Sequence, residues 1–65
     1  MQIKLNGEPR EIEAATIGQL VSGHQLNPEA IVIELNGAIA PKEAWAATPL
    51  NAGDQVEIVT FVGGG

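Results

Sequence analysis

Three consecutive glycines, Gly63, Gly64 and Gly65, stand where the sequence stops, directly after Phe61 and Val62. At an average glycine usage of about 7%, a triplet at a given end arises by chance in roughly 0.03% of chains, so composition alone does not account for it. Glycine-rich ends also occur as frayed tails and linker remnants, and that reading stands beside a functional one. A Gly-Gly segment has no Cβ atoms, so it can thread a narrow tunnel in nearly any backbone conformation and present its carboxylate inside another protein. A carboxylate is a poor acyl donor, because oxide would have to leave. Once activated by a partner, most simply as an adenylate made from ATP, its carbonyl becomes open to a sulfur or nitrogen nucleophile. Gly65 would then be the acyl group of a substrate.

The other residues able to do chemistry fall short of a site. His24 is the single histidine and there is no cysteine, so no metal cluster can be assembled around it; a structural role near a helix C-terminus is the better reading. Ser22 has no base and orienting acid in any recognisable arrangement. Glu11 and Glu13 share one face of a strand, yet nothing predicts the enclosed pocket that would separate their pKa values. The glycine triplet leads into no helix, so it is not a phosphate loop. Eight acidic residues against three basic ones give a net charge of -5, the wrong sign for following a nucleic-acid backbone. The start Met1-Gln2-Ile3-Lys4-Leu5 lacks the basic segment and long apolar stretch of a leader and no run is long enough to span a membrane, so with no cysteine a cytoplasmic protein is expected.

Sixty-five residues allow one small core. Ile3 and Leu5 alternate with polar neighbours, Asn6-Gly7 is a hairpin signal, and Arg10 to Ala14 offers a second strand with Ile12 inward. Thr16 and Gln19 form a capping-box pattern, and Ile17, Leu20, Val21 and His24 fall on one face of a short helix that must end before Asn27-Pro28. Gly18 and Gly23 weaken that helix, so it should hold only when packed. Ile31, Ile33 and Leu35 face one way and Val32 and Glu34 the other; Asn36-Gly37 then turns the chain into a short strand around Ala38 to Ala40. Pro41 suits the first turn of a brief helix or 3₁₀ segment carrying Trp45, expected to anchor a minor core. Thr48 to Asp54 reads as a loop, and a last strand begins near Gln55. In it Val56 and Ile58 alternate with Glu57, but Val59, Phe61 and Val62 break the phase, which predicts a bulge or a strand covered on both faces. Phe61, with Val59 and Val62, either completes the core or forms an exposed patch beside the tail.

The order strand, strand, helix, two strands, helical turn, strand predicts an α+β chain with one main helix across a mixed sheet, the order of a β-grasp, or ubiquitin-like, fold. Residues 1–62 would form the β-grasp domain, and 63–65 a flexible glycine tail projecting from the last strand.

In that order, the Met1-Gln2-Ile3 start, Asn6-Gly7, Thr16-Ile17 with Leu20, Asn36-Gly37, Pro41-Lys42-Glu43 with Trp45, Gly53-Asp54 with Val56, and Phe61 to Gly65 resemble the ThiS family of sulfur carriers over essentially the whole chain. The resemblance implies a carrier, not an enzyme, that binds no cofactor itself. Its Gly65 carboxylate would be adenylated by an E1-like adenylyltransferase (ThiF-like) that uses ATP and Mg²⁺. A sulfur donor such as a cysteine desulfurase persulfide would convert it to a thiocarboxylate, and a thiazole synthase (ThiG-like) would take the sulfur for thiamine biosynthesis. Gly63 and Gly64 would lie in the partner's tunnel, with Val59, Phe61 and Val62 as possible contacts. Related carriers serve molybdopterin synthesis, tRNA thiolation or cysteine synthesis, and a ubiquitin-like modifier would pass the same activated glycine to a lysine amine. A plain interaction module would ignore the tail altogether.

Overall fold

A computed structural model describes residues 1–61. Five strands, β1 (Gln2–Leu5), β2 (Glu8–Glu11), β3 (Ile31–Leu35), β4 (Ala38–Ile39) and β5 (Gln55–Thr60), form one sheet in the order β2-β1-β5-β3-β4. The β1/β5 pair is parallel and the other pairs are antiparallel. Helix α1 (Ile17–Gly23) and a 3₁₀ segment (Lys42–Ala47) cover one face.

Both hairpins turn on their Asn-Gly pairs. Asn6 and Gly7 have φ of 52° and 83°, and Asn36 and Gly37 have φ of 52° and 86°; two successive positive φ values are what a two-residue turn needs to match strand twist. Because the first turn uses only two residues, β2 starts at Glu8, earlier than the expected Arg10, and ends at Glu11. Ile12 still points inward and is buried, its N–H donating to the Met1 carbonyl at 2.8 Å. The second hairpin strand is likewise shorter than expected, Ala38–Ile39.

Helix α1 starts as its sequence predicts. Thr16 Oγ1 accepts from the Gln19 N–H, while Gln19 Oε1 reaches back to accept from the Ala15 N–H, one residue earlier than in the usual capping box. The helix stops in a Schellman arrangement: the Gln25 N–H donates to Ser22, the Leu26 N–H donates to Val21, and Gln25 has φ of 56°. His24 therefore lies just past the helix and is exposed, not on the core face with Ile17, Leu20 and Val21; its Nδ1 sits 3.0 Å from the Leu20 carbonyl, a structural contact at the helix end. A 3₁₀ turn over Pro28–Ala30, capped by Asn27 Oδ1, leads into β3.

The core is built on Ile3, Ile17, Leu20, Ile33 and Val56, all essentially inaccessible. Trp45 joins this core, its indole Nε1 donating to the Ala40 carbonyl at 2.8 Å. The segment expected only as a loop also contributes: Leu50 is buried, and the Ile17 and Leu50 N–H groups bond to Thr48 and Ala15, tying that segment to the start of α1. Gly18 lies against the Lys42–Ala47 segment, where a Cβ would come within 3.1 Å of Ala46 Cα. Among the described residues no helix is long and apolar enough to cross a membrane.

Candidate functional site

Strand β5 is central, between β1 and β3. Its register with β3 runs without interruption from Leu35↔Val56 to Ile31↔Thr60, so the phase break is not a bulge. Nor is the strand covered on both faces. Val56 and Ile58 point into the core, whereas Val59 and Phe61 stand on the open face, 49% and 48% exposed. Of the extra apolar residues, the described ones, Val59 and Phe61, form surface, which decides the two readings of Phe61 in favour of an exposed patch.

Cross-strand pairing shows what surrounds that surface. Val59 faces Val32, and one step back Glu57 faces Glu34, whose other neighbour is Ile39, 67% exposed. The open face thus carries an apolar patch at the end of β5 nearest the tail and two carboxylates directly behind it. Like charges placed opposite one another weaken a strand pair, so this pair does not serve the sheet. Exposed apolar groups rimmed by charge are the usual composition of a protein contact.

The strand that bears this patch is held firmly. The Lys4 and Asn6 N–H groups donate to the Asp54 and Val56 carbonyls, both at 2.9 Å, and the Phe61 N–H donates to Ala30. Asn6 Oδ1 accepts from the Ile58 N–H at 2.7 Å, taking the place of a backbone carbonyl that the turn has rotated away. Asn36 Oδ1 accepts from the Gln55 N–H at 2.9 Å and its Nδ2 donates to Asp54 Oδ1; Asp54 Oδ2 in turn accepts from the Asn51 N–H. Both turn asparagines therefore clamp β5 as well as turning the chain. The Asn-Gly signal gave the turns but not these bonds, because their partners lie 52 and 19 residues away.

The remaining candidates are not brought together. His24, Glu11 and Glu13 line an open groove between β2 and α1, with Arg10, Gln19 and Leu20 among its other walls, and Ser22 lies outside it. Among the described residues there is no group of three His, Asp or Glu side chains able to hold a metal ion. The expectations for Val62, Gly63, Gly64 and Gly65, including the boundary of the tail, fall outside the described residues.

A five-stranded mixed sheet with parallel central strands and one main helix on a single face defines a ubiquitin-like, β-grasp protein. The model of the ThiS family matches residues 3–65. A solved structure of a thiamine biosynthesis protein (ThiS) from Geobacter metallireducens superposes with a TM-score of 0.84 at 35% identity, covering 100% of both chains. The sulfur carrier protein ThiS of Bacillus subtilis is 35% identical over 97% of this chain and 98% of its own. The chain belongs to the ThiS family. It is also 41% identical, over its whole length, to part of a thiazole synthase from Magnetococcus marinus, and spans 20% of that protein's length.

Proposed function

We propose that the chain is a cytoplasmic sulfur carrier of thiamine biosynthesis, a co-substrate of other enzymes whose reacting group is the Gly65 carboxylate. The observation that carries this reading is the family match, which runs through the glycine triplet to residue 65. In the first step a Gly65 carboxylate oxygen attacks the α-phosphorus of ATP, pyrophosphate leaves, and an acyl-adenylate forms. ATP and Mg²⁺ belong to the E1-like adenylyltransferase. The terminal sulfur of a persulfide, such as that of a cysteine desulfurase, then attacks the carbonyl and AMP leaves. A thiol reductant cleaves the resulting acyl disulfide to the thiocarboxylate. The relatives that are themselves thiazole synthases support a thiazole synthase as the acceptor of that sulfur.

The scaffold's part is presentation. Gly63 and Gly64 supply a segment without side chains for the partner's tunnel. Val59 and Phe61, with Val62, supply the adjoining contact.

With ATP, the cognate adenylyltransferase and a persulfide donor, intact-mass measurement should show the gain of one oxygen-to-sulfur exchange, located at Gly65 by fragmentation. Complete sets of cognate enzymes that leave the mass unchanged would overturn the reading. Isopeptide-linked conjugates in cell extracts, with no thiocarboxylate, would make the chain a protein modifier instead.

A further inference from the structure

We propose that the flank of β5 facing β1, beyond the Asn6-Gly7 turn, is a strand-addition site on which the enzyme that activates Gly65 lays an extended segment of its own backbone. The inference rests on the carrier reading above. Along a strand, successive residues direct their backbone groups to alternate flanks. In β5 the odd positions face β3: Gln55 exchanges bonds with Asn36, and the Phe61 N–H reaches Ala30. The even positions face β1, where Asp54 and Val56 accept from Lys4 and Asn6, and the Ile58 N–H donates to Asn6 Oδ1.

There the neighbouring strand ends, because Asn6 and Gly7 turn the chain back into β2. Strand β5 continues to Thr60. The Ile58 carbonyl and the Thr60 N–H and carbonyl therefore face a flank with no bonding partner among the described residues. Three such groups, spaced as a ladder, match an added strand.

The other open edges of the sheet are protected and this one is not. Strand β2 carries Glu8, Arg10 and Glu11, with Pro9 replacing an N–H, and β4 is only two residues long. Charges, proline and shortness are the devices that discourage pairing at an edge. Residues 58–61, Ile-Val-Thr-Phe, contain none of them. The occupant follows from reach: Gly65 is five residues after Thr60, and five extended residues span at most about 18 Å. An enzyme that holds the Gly65 carboxylate therefore has its surface within about 18 Å of this flank, near enough to reach it.

A chain of this length is accessible to chemical synthesis, which permits the Thr60 peptide N–H to be replaced by an ester oxygen with the side chain unchanged. Binding to the cognate adenylyltransferase is measured by calorimetry, and sulfur loading by intact mass, for the native chain, the ester variant and Thr60→Ala. Thermal melting of each free chain reports any loss of folding. The ester should weaken enzyme binding about fivefold, as expected for one lost hydrogen bond, while Thr60→Ala stays within about twofold of native. A folded ester variant that binds as tightly as native overturns the inference while native loading keeps the carrier reading intact. An equal loss in Thr60→Ala overturns it too, since the side chain would then be what is read. A native chain that dimerises through this flank, with the ester abolishing only the dimer, assigns it to a second copy and overturns the proposal. If the native chain itself is never loaded, the carrier reading fails and this inference falls with it.

Discussion

Phe61 is 48% exposed on the open face of the sheet while its backbone N–H is tied to Ala30. Its ring contributes little to the core, so under the proposed docking its energetic role would lie in association, where aromatic side chains at the centre of a contact carry much of the affinity. Phe61→Ala should lower stability by less than about 1 kcal/mol and weaken adenylyltransferase binding by about 1–2 kcal/mol. Denaturant unfolding and calorimetry separate the two; a large loss of stability with unchanged affinity would return Phe61 to the core. The sequence could not decide this residue. Its phase relative to Glu57 was readable, but the same phase is compatible with a covered or an open face until the position of every other element is known.

Helix α1 holds two glycines that look alike in the sequence and differ in the fold. At Gly23 an added Cβ would meet nothing within 4 Å, and no positive φ protects the position. Gly23→Ala should therefore gain up to about 1 kcal/mol from helix propensity. At Gly18 the Cβ would press against the backbone of Ala46 at 3.1 and 3.3 Å, which cannot swing aside as a side-chain tip would. Overpacking of this kind costs about 1–3 kcal/mol, more than the propensity gain, so Gly18→Ala should be net destabilising. Thermal melts of the two variants should move in opposite directions; a rise for both would show that the Lys42–Ala47 segment yields freely. Reading both glycines as weaknesses of an isolated helix captured their local cost, and missed that Gly18 permits the close approach of α1 to its neighbour.

For the whole molecule, the proposed function places folding and sulfur loading in separate parts of the chain. Among the described residues, every buried one lies between Ile3 and Val56, and the bonds that clamp β5 are made by residues up to Phe61. Deleting Gly64 and Gly65 should shift unfolding free energy by no more than about 0.5 kcal/mol, as for changes away from packed groups. The same deletion should abolish sulfur loading. Unfolding curves and intact mass measured on one preparation test both halves of the statement. Retained function without the two glycines would leave only a β-grasp interaction module.

The local code of this chain was readable residue by residue. Two Asn-Gly turns, a Thr16/Gln19 cap, alternation through Ile31 to Leu35 and a proline-led turn carrying Trp45 are set by short-range sterics and hydrogen bonding, and their order leads to the β-grasp sheet. The glycine triplet stands out by composition, whereas the chemistry proposed for it rests on the family to which the chain belongs. Tertiary structure alone decided that Val59 and Phe61 lie on an open face, that Asn6 and Asn36 clamp a strand distant in sequence, and that β5 outruns β1. Each of these depends on which segments become neighbours across the sheet. Only a completed core fixes such distances, because burial is a property of the assembled surface and not of any one run of residues.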